Sequence, residues 1–126
     1  MLKRKIMKQL LEWKNKSEKM CLVIKGARQV GKTYIIDEFA RENYKNYIYI
    51  NFIEKPSYKD IFNGDLDVET IIKQITVNIP NAKLIPNETI IFLDEIQDCP
   101  TARTALKFLS QDKRFDVIAS GSLLRN

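Results

Sequence analysis

The sequence predicts an α/β fold of three layers, with a parallel β-sheet between two layers of helices. Three observations carry this. Short β-rich segments recur at 20–24, 47–52, 89–93 and 116–119. The runs at 20–24 and 89–93 are apolar without a break, as suits strands buried on both faces of a parallel sheet. Segments with helical spacing separate the strands, and strict alternation of the two kinds implies parallel pairing through right-handed crossovers.

Each element has its own local reason. Residues 3–17 place Ile6, Leu10 and Trp13 at i, i+4 and i+7, with Met7 and Leu11 beside them and the lysines mostly on the other side. That is an amphipathic helix whose apolar stripe packs on the domain. Residues 20–24 form the first strand, and 32–42 read as a helix. Tyr47-Ile48-Tyr49-Ile50-Asn51-Phe52 is a second strand, ended by Pro56. Residues 67–78 form a helix with Val68, Ile71, Ile72 and Ile75 inward. Thr89-Ile90-Ile91-Phe92-Leu93 is a third strand. Pro100 opens a helix near 101–109, where a missing N–H costs little. Asp116-Val117-Ile118-Ala119 is the fourth strand.

Length and composition set limits. A chain of 126 residues holds one core. With 44% hydrophobic and 29% charged residues, it has the balance of a soluble globular protein. No apolar run approaches the roughly 18 residues of a membrane helix. Lys8, Glu12 and Lys14 interrupt what would be the apolar region of a signal peptide. The two cysteines, Cys21 and Cys99, have no paired spacing, and the chain has no histidine. They read as reduced thiols of a cytoplasmic protein, with no zinc site. The net charge is +5, and residues 1–25 hold eight Lys/Arg against Glu12 and Glu18. The basic excess therefore belongs to the N-terminal segment, as a solvated helix face or a surface for nucleic acid.

The most specific signal is Gly26-Ala27-Arg28-Gln29-Val30-Gly31-Lys32-Thr33, which fits G-x-x-x-x-G-K-[ST]. Glycines let the backbone wrap so that its N–H groups converge on phosphate oxygens. The following helix adds the positive end of its dipole. Lys32 reaches the β- and γ-phosphates of ATP, and the Thr33 hydroxyl is placed to ligate Mg²⁺. A buried strand leads into the octet and a helix leads out, which is the context the motif requires.

The third strand ends in Asp94-Glu95. Ligands of open parallel sheets bind beyond the carboxyl ends of the strands, so this pair belongs beside the phosphate loop. Asp94 is a candidate Mg²⁺ holder, and Glu95 a candidate base for the attacking water. An acid next to the metal-holding aspartate suits hydrolysis. A guanine-reading Asn-Lys-x-Asp segment is missing, since Asn15-Lys16 is followed by Ser17-Glu18 in the first helix. Ser120 and Ser122, at the end of the fourth strand, are candidates to contact the γ-phosphate or the lytic water. Arg28, Arg103, Arg114 and Arg125 are basic groups among which the sequence does not choose.

Three stretches, Ile24-Lys25-Gly26-Ala27-Arg28-Gln29-Val30-Gly31-Lys32-Thr33, Ile91-Phe92-Leu93-Asp94-Glu95-Ile96-Gln97 and Ala119-Ser120-Gly121-Ser122-Leu123-Leu124, resemble a family of bacterial and archaeal AAA-superfamily ATPases. The resemblance runs along nearly the whole chain. It implies a P-loop NTPase fold that binds and hydrolyses Mg-ATP, with the roles given above for Lys32, Thr33, Asp94 and Glu95. It also implies a longer protein, in which a fifth strand lies beside the first, lid helices cover the adenine and an arginine finger completes the site. Residues 1–126 thus read as a single partial ATPase domain that ends after the fourth core strand, with an exposed edge at 20–25 open to self-association. Two further readings remain: a switch that binds ATP with negligible hydrolysis, and a nucleic-acid-binding module regulated by ATP.

Overall fold

The structure, a computed structural model, describes residues 2–25 and 31–121. Helix α1 spans Leu2–Lys14, strand β1 Leu22–Ile24, helix α2 Lys32–Asn43, strand β2 Asn46–Asn51, helix α3 Val68–Asn78, strand β3 Thr89–Asp94, helix α4 Pro100–Asp112 and strand β4 Asp116–Ser120. The four strands form one parallel sheet in the order β1-β4-β3-β2. The α/β layering expected from the sequence is the layering observed.

The strand order decides where the helices go. The chain passes from β1 to β2 at the far edge, then steps back through β3 to β4. Right-handed crossovers in opposite directions place their helices on opposite faces. Accordingly α2, joined by α1, packs Ile35, Ile36, Phe39 and Ala40 with Ile24, Ile90, Phe92 and Ile118. On the other face α3 and α4 pack on Ile48, Ile50, Ile91, Leu93, Val117 and Ala119. Strand residues alternate between the two cores, so central β3 is buried at all six positions.

The structure departs from the sequence expectation in four places. The first strand is three residues long, and Met20 is exposed. Leu22 and Val23 are half-buried, not buried on both faces, because β1 lies at the sheet edge expected for 20–25. Helix α1 stops at Lys14, short of residue 17, and the Trp13 indole N–H donates to Met20 O at 2.8 Å across the turn that follows. Pro56 does more than end a strand. It opens a 3₁₀ helix, Pro56–Phe62, that buries Ile61 and Phe62 under α3 and α4. A second 3₁₀ turn, Ile96–Asp98, follows β3. Each of the other boundaries lies within about three residues of its expected place.

Helix α1 is part of the core. Ile6, Leu10 and Trp13 are buried in the cluster around α2, with Leu10 fully covered. Leu10→Ala is expected to cost about 2–5 kcal/mol, the usual range for a buried leucine truncation. Lys8→Ala, on the exposed face, should stay within about 0.5 kcal/mol. Denaturant unfolding of the two variants checks this, and equal small effects would mean that α1 is not integrated with the domain.

Candidate functional site

The register of the sheet aligns the carboxyl ends of its strands. Ile24 pairs with Ser120, Ser120 with Asp94, and Asp94 with Asn51. These four residues form one row across the sheet. By strand alternation they share the face of Ile90, Phe92 and Ile118, which is the face that carries α2. Three of the four are polar and buried. A parallel sheet buries polar side chains sparingly, so such a row marks a place where the fold serves something other than packing.

Helix α2 brings its N-terminus to this row. Gly31 precedes it at φ 93° and ψ −9°, a left-handed conformation that glycine adopts without strain. Lys32 and Thr33 form the first turn. The Lys32 ammonium, buried to 8% exposure, donates to Gly121 O at 3.4 Å just past the end of β4. The Thr33 hydroxyl donates to Asp94 Oδ2 at 3.0 Å. Two groups distant in sequence, the end of the phosphate-loop octet and the acid ending β3, are thus in direct contact.

Asp94 has further donors. The Tyr49 hydroxyl donates to Oδ2 at 2.8 Å, and the Glu95 N–H donates to Oδ1 at 2.9 Å. Tyr49 Oη in turn accepts from Asn51 Nδ2 at 3.0 Å. Burial, together with the bond to Asp94, pushes the Tyr49 phenol above its ordinary range, while the Asn51 bond works the other way. It therefore remains a proton donor at physiological pH. Sequence reasoning assigned Tyr49 and Asn51 no role. The available signal was an asparagine ending an otherwise apolar strand.

Glu95 turns out of the strand at φ 56° and ψ 45° and receives Gln97 Nε2 at 2.9 Å. Ser120 is fully buried, and its hydroxyl has no hydrogen-bond partner among the described residues. Arg114 sits at the opposite end of β4, held by Asp112 at 2.8 Å and Glu69 at 2.6 Å. The guanidinium holds the Asp112 carboxyl below its ordinary range. That engagement keeps Arg114 away from the carboxyl end of the sheet, and Arg103 is exposed on α4. Gly26, Ala27, Arg28, Gln29, Val30, Ser122 and Arg125 lie outside the described residues.

Among the described residues no three His, Cys, Asp or Glu gather as a metal cluster. The Thr33–Asp94 pair offers one hydroxyl and one carboxylate, both hard oxygen donors. Such a partial set suits Mg²⁺, which takes one or two protein oxygens and completes its shell with phosphate and water. Both cysteines are free thiols, with Cys99 buried and Cys21 half-buried. No helix is long and apolar enough to cross a membrane among the described residues.

A cleft of about 430 Å³ opens at the other end of the sheet, between Trp13, Lys14, Lys19, Tyr44, Lys113 and Asp116. Three of its lysines are already engaged. Lys19 pairs with Asp116 at 3.1 Å, Lys113 donates to Lys19 O at 3.2 Å, and Lys14 stands over the Tyr44 ring. The buried Ser120 hydroxyl, without a partner among the described residues, lies at the carboxyl end of the sheet instead.

A parallel sheet in this order, with a glycine-initiated helix aimed at the acid ending β3, defines a P-loop NTPase domain. The chain belongs to the family described as "AAA domain", whose profile matches residues 18–126. The fold is shared with the Aeropyrum pernix ORC1 protein, solved in complex with DNA, at TM-score 0.55 and 16% identity over 97% of this chain and 38% of that one. It is shared also with C. elegans PCH-2, at TM-score 0.53 and 15% identity over 95% of this chain and 37% of that one. The chain therefore spans less than two fifths of either structure. Comparison with curated protein sequences finds no match. The domain is thus of the nucleotide-binding ATPase family.

The buried Ser120 hydroxyl gives a structural expectation independent of any ligand. A buried hydroxyl without a partner carries a desolvation cost of about 1–3 kcal/mol. Ser120→Ala should leave stability unchanged or raise it. Thr89→Ala, which removes a hydroxyl bonded to Ile85 N at 2.9 Å, should lower it. Denaturation of the two variants without nucleotide decides, and a clear loss in Ser120→Ala would show that its hydroxyl is bonded.

Proposed function

We propose that this domain binds Mg-ATP and hydrolyses it. The observation that carries the reading is the 3.0 Å bond between Thr33 and Asp94, which joins the phosphate-loop octet to the acid ending β3. In this reading Lys32 exchanges its bond to Gly121 O for the β- and γ-phosphate oxygens. Residues 26–31 supply backbone N–H groups to the phosphates. Thr33 and Asp94 hold the cation, which when bound neutralises charge on the phosphates. Glu95 orients the attacking water and accepts its proton. Ser120 and Ser122 contact the γ-phosphate or that water, a role consistent with the partnerless Ser120 hydroxyl.

Titration with a fluorescent ATP analogue and a phosphate-release assay test this together. Lys32→Ala should abolish analogue binding or weaken it severely. Glu95→Gln should bind normally and lose about 10²–10⁴ in turnover. Equal affinity for wild type and Lys32→Ala would refute the phosphate site. Tight binding without phosphate release in the wild type would leave a nucleotide switch rather than an enzyme.

A second reading is supported by α1, where Lys3, Arg4, Lys5 and Lys8 are exposed opposite the buried stripe. In this reading duplex nucleic acid meets that face through its phosphates. Binding should then fall steeply with salt, and Lys5→Ala should lower the slope of log K against log salt by about 1. Fluorescence anisotropy with duplex DNA from 50 to 200 mM salt is the measurement. Absence of binding at low salt would rule the reading out.

A further inference from the structure

Asp94 is almost fully buried at 4% exposure, and its carboxylate receives three donors from three segments. Thr33 of α2 and Tyr49 of β2 both bond Oδ2, and the Glu95 N–H bonds Oδ1. A carboxylate offers about four acceptor positions, two on each oxygen. Among the described residues Oδ2 is thus filled, and Oδ1 keeps one position open.

The polarity of the chain behind Tyr49 is fixed. Asn51 Oδ1 accepts from the N–H groups of Ile53 at 2.9 Å and Glu54 at 3.0 Å. Two backbone donors therefore decide which end of the amide faces them, and the Nδ2 end must face Tyr49. A phenol has one proton. With its oxygen accepting from Asn51, Tyr49 must spend that proton on Asp94. The ring is seated against Phe92, with centroids 5.2 Å apart, so the hydroxyl has little freedom to leave.

We propose that Tyr49, oriented by Asn51, is a positioning residue that pins Asp94 Oδ2 so that Oδ1 is presented to the hydrated cation of a bound nucleotide. The inference rests on the Mg-ATP reading above. Thr33 is needed at the cation in that reading, so it cannot serve only as an anchor for Asp94. Tyr49 has no such second task. Partners that orient a metal-holding side chain typically account for 10–100-fold in metal affinity when removed.

The test separates cation from nucleotide. A fluorescent ATP analogue is titrated into the 126-residue chain in EDTA, then at fixed analogue with increasing Mg²⁺. Tyr49→Phe deletes one oxygen and keeps the ring on Phe92. Its affinity in EDTA should stay within about twofold of wild type, while the Mg²⁺ needed for half-maximal response should rise about tenfold, the lower end of that range. Asn51→Ala should shift the Mg²⁺ response in the same direction. The double variant should be no worse than Tyr49→Phe alone, because Asn51 acts through Tyr49. Tyr47→Phe, on the same face, should leave the response unchanged. A Tyr49→Phe response matching wild type, or an equal loss in EDTA and Mg²⁺, would overturn the proposal. Failure of the wild type to bind the analogue even with saturating Mg²⁺ would instead remove the nucleotide reading, and this inference with it.

Discussion

A single reversal in strand order governs the layout of this domain. The chain leaves β1, passes over two strand positions to β2, and returns through β3 and β4. Handedness then sends α2 to one face and α3 and α4 to the other, which buries β3 on both sides. Polar side chains in such strands carry a desolvation cost unless a partner reaches them. The end of the sheet met by the N-terminus of α2 is where they collect. Asn51, Asp94 and Ser120 are buried there in one row, and all three follow apolar stretches of their strands.

The same constraint explains what could be read from the sequence. The third strand was legible because burial on both faces demands an unbroken apolar run. The contact between Thr33 and Asp94 was legible because the sequence places both at fixed offsets from strand ends. The first strand was legible both as a strand and as an edge, but its apolar run overstated its length and burial, since composition alone does not show how far pairing extends. Residues 56–62 gave no periodic signal, because a 3₁₀ helix of that length is uncommon and here is held by the burial of Ile61 and Phe62 rather than by pattern. Tyr49 and Asn51 were missed for a related reason. Their importance follows from the pairing of Asn51 with Asp94, a register that exists only once β2 and β3 are side by side.

Charge is segregated along the strand axis. At the amino ends of the strands, lysines and acids close on one another: Lys19 with Asp116, Arg114 with Asp112 and Glu69. The Tyr44 hydroxyl also donates to Asp116. Those carboxylates are neutralised by cations. At the carboxyl ends Asp94 is satisfied by hydroxyls and an N–H, and among the described residues no ion pair forms on it. A carboxylate paired with a lysine or arginine has a cationic partner beside it, whereas one held by hydroxyls and an N–H does not. The two ends of the sheet thus differ in kind: among the described residues, carboxylates meet cations at one and neutral donors at the other.

Glu95 adds a backbone argument to this electrostatic one. It is one of four non-glycine residues with positive φ among the described residues, alongside Asn81, Asn87 and Lys113. Asparagine tolerates that region because its short side chain bonds locally, and Lys113 ends a helix where a left-handed residue is common. Glu95 has neither excuse. A left-handed glutamate costs on the order of 1–3 kcal/mol, which the surroundings must offset. The following 3₁₀ turn does so by burying Ile96 and Cys99 and by returning the Asp98 N–H to Glu95 O at 3.1 Å. Glycine would take the same turn without strain. The strained residue directly follows the acid that contacts Thr33, so the end of β3 is held both by that bond and by the turn that buries Ile96.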